Sequence, residues 1–282
     1  MLIPTLLVAS MLCGEAPKPQ EFANLFEAHE TRYSGGKYKG QLFKYRLFVP
    51  RDLNPAGRYP LIVWLHGIGE AGEDNRLSLK YLDNLFNDRD NIEKYQFFML
   101  VVQCPSSDRV WLHSFSKADS EVDPPDEMLT VTLAILRKIM EQQPIDPDRV
   151  YVSGLSSGGV GCLELAMRHP ETFAAVVPMS AGHPDLSRAA KLTNIPIWAV
   201  VNRGERNDAE PIIAAVKNAG GAAYLMVLDG GGHDSWSATL KNPPVWEWLL
   251  AQRRGAWACW TPPPMRPWQW WHILTVPVIF LV

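Results

Sequence analysis

The sequence predicts an α/β protein with a mostly parallel central sheet and helices on both of its faces. Short apolar runs without alternation, such as Leu61–Leu65, are typical of parallel strands that are buried on both sides. Amphipathic helical segments such as Met128–Met140 lie between these runs. This alternation favours a parallel sheet, because each helix returns the chain to the start of the next strand. With 282 residues, 47% of them hydrophobic, the chain is long enough for one large core.

The first half of the chain contributes three predicted strands and one helix. Leu42–Val49 alternates apolar and polar residues, which predicts a strand at the outside of the sheet. Leu61–Leu65 and Phe97–Val102 are continuous apolar runs and therefore predict buried strands. Met128–Met140 carries leucine or methionine every three or four residues along one stripe, which is the period of a helix.

The second half continues the alternation of strand and helix. Short apolar segments predict its strands, Pro170 ends one helix and the pair Gly220-Gly221 stops another. The predicted elements are strand Arg149–Val152, helix Gly158–His169, strand Phe173–Val177, strand Ile195–Val201, helix Pro211–Ala219, strand Ala223–Leu228 and helix Pro244–Gln252.

A glycine-rich turn between a strand and a helix carries the clearest chemical signal. The residues Gly154-Leu155-Ser156-Ser157-Gly158 form a G-x-S-x-G motif between strand Arg149–Val152 and the helix that begins at Gly158. In that context the glycines permit a sharp turn, and the serine hydroxyl stands exposed beyond the sheet. Ser157 fits worse as the nucleophile, because its own frame would need glycine where Leu155 stands. We therefore predict Ser156 as a catalytic nucleophile.

A serine nucleophile needs a base, and His233 is the best candidate. It lies in a glycine-rich loop directly after strand Ala223–Leu228, where a side chain can reach the same sheet edge as Ser156. His169 closes a helix, whereas His66 precedes the nucleophile and has a different expected role.

A carboxylate should orient that base, and two candidates follow strand Ile195–Val201. Asp208 is the preferred acid, because aspartate is the commoner orienting group and its shorter side chain loses less entropy when it is fixed. Glu205 remains the alternative, because it lies four residues beyond the strand whereas Asp208 lies seven. Asp234, adjacent to the base, is the third choice.

An oxyanion formed at the carbonyl needs two preorganised N–H donors. The N–H of Ser157, at the start of a helix, is one predicted donor. The other should come from the loop after Leu61–Leu65, where the N–H of Ile68 or Gly67 can approach the substrate. His66, which opens this loop, is expected to order it by hydrogen bonding.

Several motifs together resemble a known family. They are LIVWLHGIGEAGEDN, IDPDRVYVSGLSSGGVG, RHPETFAAVVPMSAG, IPIWAV and GGGHDSW, in this order between Gln41 and Arg254. They resemble the α/β-hydrolase group of bacterial carboxylesterases and "predicted peptidases", which is related to feruloyl esterases and polyhydroxybutyrate depolymerases. The resemblance implies an α/β-hydrolase fold, Ser156 as nucleophile, His233 as base and the loop from His66 to Gly69 as an oxyanion contributor. The acid loop departs from the family pattern, and an ungapped count from Trp198 points to Glu205.

The function expected from these residues is that of a serine esterase without a cofactor or metal, acting through an acyl-enzyme intermediate on a small ester or a polysaccharide-linked ester. A peptidase of the same fold and a catalytically silent surface or binding protein are the alternatives. Trp111 and Trp236 are the candidate residues of the substrate pocket. Trp111 belongs to the segment Ser106–Glu127, a long insert that is expected to set specificity.

Composition excludes other classes of function. The net charge of −3 and the scattered basic residues argue against nucleic acid as a partner. The four cysteines have no paired spacing, so they predict neither a zinc site nor a disulfide framework. Cys104 and Cys162 are expected to be buried free thiols.

The two ends of the chain differ from the middle. Residues 1–16 contain an apolar, uncharged run that predicts a signal peptide and hence an exported, periplasmic or extracellular protein. Residues 17–254 are the predicted catalytic domain. Residues 255–282 form a tail rich in proline and tryptophan, for which weak membrane contact is one prediction and a tail that packs on the domain or is poorly ordered is the other.

Overall fold

A single nine-stranded sheet organises the protein. The computed structural model describes residues 22–86, 96–106, 111–112, 123–124, 127–256 and 272–273. The strands are β1 Phe26–Gly35, β2 Tyr38–Phe48, β3 Tyr59–Leu65, β4 Phe98–Val102, β5 Ile145–Leu155, β6 Ala175–Met179, β7 Ile197–Asn202, β8 Ala223–Leu228 and β9 His272–Ile273. Their order across the sheet is β1-β2-β4-β3-β5-β6-β7-β8-β9.

The centre of the sheet is parallel and its edges are antiparallel. β4, β3, β5, β6, β7 and β8 pair in parallel with their neighbours. β1 pairs antiparallel with β2, β2 with β4, and β9 with β8. The predicted mostly parallel sheet is therefore confirmed, and its carboxyl edge collects the loops that follow six neighbouring strands.

Helices cover both faces of this sheet. They are α1 Asp83–Phe86, α2 Met128–Gln142, α3 Ser157–Arg168, α4 Arg206–Asn218, α5 Trp236–Leu240 and α6 Pro243–Ala251. The apolar sides of α2, α3 and α4 pack in one buried cluster, and those of α1, α5 and α6 pack in a second. Alternate residues of β3 divide between the two: Leu61 and Val63 face the first cluster, whereas Ile62 and Trp64 face the second.

Two of the differences from the sequence prediction have a clear physical reason. β1 was not predicted, because it pairs only with β2 at the sheet edge and most of its side chains are at least partly exposed, so it lacks a strong apolar pattern. The helix predicted from Pro211 begins at Arg206, and Pro211 lies inside its second turn. Because proline is common at the first position of a helix, the start of this helix was predicted at Pro211.

Several predictions fall outside the described residues. These are the signal peptide, almost all of the tail beyond Ala256, and most of the segment Ser106–Glu127. Export, membrane contact and a specificity role for this segment therefore stay predictions. Among the described residues, no helix combines the length and the apolar character that a membrane span requires.

Candidate active site

The predicted reactive residues meet at the carboxyl edge of the parallel strands. Ser156 follows β5, Glu205 lies in a short 3₁₀ turn that follows β7, and His233 lies in the loop after β8. Parallel neighbours end at the same edge, so residues far apart in the chain come together there. The loop that begins at His66, after β3, borders the same site.

The turn at Ser156 is strained and tightly packed. Ser156 has φ 54° and ψ −121°, a conformation that L-residues rarely adopt, and its N–H donates a 2.8 Å hydrogen bond to the Met179 carbonyl. A Cβ atom at Gly154 would lie 2.4 Å from the Leu65 carbonyl oxygen, and one at Gly158 would lie 2.1 Å from it. Both glycines of the motif are therefore required, because the turn packs directly against the end of β3.

Ser156, His233 and Glu205 form one hydrogen-bonded chain. The Ser156 hydroxyl lies 2.8 Å from His233 Nε2, and His233 Nδ1 is hydrogen-bonded to Glu205 Oε1. Because a carboxylate can only accept, Nδ1 carries the proton and Nε2 is free to accept one from the serine. The imidazole is about half exposed, and the Glu205 side chain is mostly covered.

The carboxylate next to the histidine is Glu205 and not the preferred Asp208. Glu205 ends the 3₁₀ turn Arg203–Glu205, which directs its side chain back over the strand ends towards His233. Asp208 lies one turn further on, in the first turn of α4, and its side chain is exposed. The path of the loop thus brings the longer side chain to His233, and the ungapped count from Trp198 pointed to the residue that makes this contact.

Polar contacts hold the two loops of the acid and the base together. The buried Asn202 amide donates a 2.6 Å hydrogen bond to the Gly232 carbonyl, next to His233. A Cβ atom at Gly230 would lie 2.5 Å from Asn202 Oδ1, so this loop needs glycine there. Arg203 and Asp229 add an exposed ion pair between the same loops.

His66 orders the loop after β3, as predicted. Its Nε2 accepts a 3.0 Å hydrogen bond from the Cys104 N–H, so its Nδ1 carries the proton and donates to the Gly67 carbonyl at 2.6 Å. Burial lowers the pKa of His66 to about 4, and the hydrogen bond to the Gly67 carbonyl offsets only part of this effect. His66 is therefore a neutral structural residue.

This buried histidine predicts a loss of stability in acid. The unfolded chain takes up a proton on His66 below about pH 6.5, whereas the folded chain does so only near pH 4. Between pH 6.5 and pH 4 the unfolded state binds more protons than the folded state. The contribution of His66 to the free energy of unfolding is therefore complete above pH 6.5 and falls as the pH drops. We expect it to lower the free energy of unfolding by about 2 kcal/mol between pH 7.5 and pH 5.

Urea unfolding of the wild-type protein and of His66→Gln at pH 7.5 and pH 5 measures the contribution of His66 to this pH dependence. The variant should be less stable at pH 7.5, because it loses the histidine's hydrogen bonds, and should show a smaller change between the two pH values. An equal pH dependence in both proteins would contradict a buried neutral His66.

Gly67 and Ile68, the two predicted oxyanion donors in this loop, have different surroundings. The Glu70 carboxylate lies beside Gly67, where a Cβ atom would be 2.8 Å from Glu70 Oε2. Burial raises the pKa of Glu70, and the Lys80 ammonium, 3.7 Å away, counteracts this shift. Ile68 begins a short 3₁₀ turn and is more than half exposed. A Cβ atom at Gly67 would lie 3.6 Å from that of Ser156, so this loop runs directly beside the serine.

The family of the chain follows from a comparison with protein-family models. Residues 37–259, which contain all of these groups, match the family model described as "Putative esterase". The chain belongs to this esterase family. The predicted resemblance is therefore confirmed at the level of the family, and the α/β-hydrolase fold is confirmed with it.

Individual relatives agree with this assignment. The "Putative esterase NocK" of Nocardia uniformis subsp. tsuyamanensis is 30% identical over 103 residues, which are 36% of this chain and 28% of that protein. A solved structure described as a thermostable esterase has a TM-score of 0.72 and 31% identity, covering 82% of this chain and 64% of its own. The chain therefore spans less than two thirds of each of these relatives.

A more distant structure supports the fold alone. A ferulic acid esterase superposes with a TM-score of 0.61 at 18% identity, covering 80% of this chain and 98% of its own. It shows that the α/β-hydrolase architecture accounts for most of this esterase-family chain.

The two tryptophans predicted for the substrate pocket differ in position. Trp111 is fully buried and its Nε1 donates a 2.7 Å hydrogen bond to the His66 carbonyl, so it supports the loop from the core and does not line an open cleft. Trp236 lies edge-to-face against His233, with ring centroids 5.2 Å apart, and is 7% exposed. It contacts the imidazole of His233.

An open cavity of about 260 Å³ lies beside His233 and Glu205. Residues 180–183 and 207–208 line the rest of it, so Asp208 borders the site although it does not contact the histidine. In the part of the chain that the structure describes, no group of three or more histidine, cysteine or acidic side chains could hold a metal ion. Cys104 and Cys162 are free and buried, as predicted, and burial raises the pKa of both thiols.

Three residues of this site had no role predicted from the sequence: Ser180, Asn202 and Glu70. Ser180 and Asn202 are polar residues at the carboxyl ends of β6 and β7, and that position was the available signal. Glu70 is a buried acid in the loop beside the serine, and nothing in its local pattern distinguishes it from a solvated charge.

Proposed function

We propose that this chain is a serine esterase that uses Ser156, His233 and Glu205 as a catalytic triad. The observation that supports it is the continuous hydrogen-bonded chain from the Ser156 hydroxyl through both nitrogens of His233 to the Glu205 carboxylate. The strained turn at Ser156 and the membership in the esterase family are consistent with it.

In the first half of the proposed reaction, Ser156 Oγ attacks the carbonyl carbon of the ester. His233 Nε2 takes the hydroxyl proton, and Glu205 holds the imidazole in the required tautomer and stabilises the imidazolium. The tetrahedral intermediate then collapses, the bond to the alcohol oxygen breaks and the alcohol leaves with the proton from His233. The acyl group remains on Ser156.

In the second half, water replaces the alcohol. His233 Nε2 takes a proton from the water as its oxygen attacks the acyl carbon, and the same proton returns to Ser156 Oγ when the acid is released. The reaction consumes one ester and one water and produces one acid and one alcohol, and it requires no cofactor.

Two backbone N–H groups are the proposed donors to the oxyanion. The N–H of Ser157 belongs to the first turn of α3, where the N–H groups have no partner within the helix. Ile68 N–H is the second candidate, because Ile68 is more than half exposed whereas the Glu70 carboxylate lies beside Gly67. Of the two donors predicted in this loop, Ile68 is therefore preferred.

Labelling with a fluorophosphonate probe tests the proposal directly. The wild-type protein should be labelled and Ser156→Ala should not. Ser153→Ala is a matched control, because Ser153 is a buried serine on the same strand whose hydroxyl donates to the Val177 carbonyl and not to the histidine. It should be labelled like the wild type. A folded wild-type protein that is not labelled would instead favour a silent binding protein.

A substrate panel distinguishes the two enzyme classes. p-Nitrophenyl esters of increasing acyl length, feruloyl esters and acetyl-xylan test the esterase, and peptide anilides test the peptidase. Higher kcat/KM on the anilides than on esters of the same acyl group would overturn the esterase assignment.

The proposed base predicts an acid limb in the pH profile. His233 must be neutral to accept the serine proton, so kcat/KM should fall in acid. His66 does not contribute to this limb, because burial holds its pKa at about 4. A flat profile down to pH 4.5, with circular dichroism showing a folded protein, would contradict His233 as the base.

A further inference from the structure

Ser180 is a second serine at the reactive edge of the sheet, and the reaction described above does not use it. It directly follows β6, between the strand that leads to Ser156 and the strand that leads to Glu205. It is 5% exposed, so its hydroxyl must find its partners within the protein.

The hydroxyl joins three parts of the site. Ser180 Oγ lies 2.8 Å from Glu205 Oε2, 2.6 Å from the backbone carbonyl oxygen of His233 and 2.7 Å from the Ser235 hydroxyl. Glu205 thus uses one carboxylate oxygen for His233 and the other for Ser180.

A hydroxyl has one hydrogen to donate, and the surroundings indicate where it goes. The Ser235 hydroxyl lies 2.7 Å from Ser180 Oγ and 3.1 Å from the Val200 carbonyl oxygen, so it can give its one hydrogen to the nearer Ser180. The hydrogen of Ser180 is then left for Glu205 and the His233 carbonyl, and the ionised carboxylate is the stronger acceptor.

The backbone at Ser180 is a second, independent observation. Its φ is 44°, in the left-handed region that favours glycine, and its N–H donates to the Val200 carbonyl at 2.8 Å. Glycine would adopt this conformation with less strain, yet the residue present carries a hydroxyl. Strained residues of this kind concentrate at functional sites.

We infer that Ser180 is a positioning residue, which holds the Glu205 carboxylate in the orientation that it needs to orient His233. The inference rests on the proposed triad and extends it by a fourth residue that does not touch the substrate's reacting atoms. By contacting both Glu205 and the backbone of His233, Ser180 joins the acid and the base, which lie 28 residues apart in the chain.

Two substitutions separate the hydroxyl from the backbone strain. Ser180→Ala removes the hydroxyl and keeps the strain, whereas Ser180→Gly removes the hydroxyl and relieves the strain. Loss of a hydrogen bond to a charged group should lower kcat about 10- to 100-fold in both variants, with little change in KM. Ser153→Ala, which removes a buried hydroxyl that does not reach Glu205, should keep wild-type kcat. Wild-type kcat in Ser180→Gly would overturn the inference, because glycine keeps the turn conformation but has no hydroxyl to hold Glu205.

A double mutant tests whether Ser180 acts through Glu205. Ser180→Gly combined with Glu205→Gln should have nearly the same kcat as Glu205→Gln alone, because the residue that Ser180 positions is already disabled. A further drop equal to that of the single Ser180→Gly variant would overturn the inference, since it would mean that the two residues act independently.

A crystal structure of Ser180→Gly gives a readout that does not depend on activity. The Glu205 carboxylate is expected to leave its contact with His233 Nδ1, and an unchanged contact would overturn the inference. If the wild-type protein neither cleaves esters nor reacts with the fluorophosphonate, the proposed function fails, and this measurement still decides the role of Ser180.

Discussion

Replacing Ser156 by alanine is expected to lower kcat for ester hydrolysis by about 10⁴-fold or more. Without the hydroxyl there is no acyl-enzyme route, and only binding and the oxyanion donors remain to assist attack by water. His233→Ala should cause a loss of the same order, because the 2.8 Å contact between the two side chains is the path of the serine proton. Initial rates on a p-nitrophenyl ester measure both effects.

The double variant Ser156→Ala/His233→Ala tests whether the two residues act together. Ser156 and His233 act as one unit, so the double variant should be hardly slower than either single variant. Ser153→Ala controls for the loss of a buried serine near the same turn and should retain wild-type kcat. More than a tenth of wild-type activity in either single variant would contradict the assignment of Ser156 as nucleophile and His233 as base.

Replacing Glu205 by glutamine is expected to reduce kcat by about 10⁴-fold, as loss of the orienting carboxylate does in serine proteases. The amide keeps the size of the side chain but loses the charge that stabilises the imidazolium. It can also present an N–H group to His233 Nδ1, which favours the wrong tautomer. kcat should fall much more than KM changes.

Asp208→Asn is the matched control for Glu205→Gln. Asp208 lies three residues further along the chain, borders the same cavity and makes no contact with His233 in the described structure. We expect its replacement to change kcat by less than about tenfold, because an exposed charge contributes little to the transition state. The reverse pattern, with Asp208→Asn the slower enzyme, would return the role of the acid to Asp208.

The local part of the site could be predicted from the sequence. The strand pattern before the G-x-S-x-G motif and the helix pattern after it were sufficient to place Ser156 on a strand-to-helix turn, and the need for Gly154 and Gly158 arises from close packing at that turn. His233 was identifiable because it follows the last parallel strand in a glycine-rich loop. Both features depend on short stretches of chain.

The edge of the fold was harder to predict. β1 forms by pairing with β2, and its own residues do not carry the apolar alternation of a half-buried strand. Its position depends on its partner, so the sequence of the segment by itself was not sufficient.

The sequence by itself determined the class of fold and the choice of Ser156 and His233 as candidate nucleophile and base, since each depends on a local pattern of side-chain size, polarity and turn geometry. The tertiary structure alone decided that Glu205 contacts His233, that Trp111 belongs to the core and that Ser180 reaches Glu205. These are contacts between residues far apart in the chain. Their distances depend on how neighbouring strands place their loops in space, and no local pattern of residues specifies that.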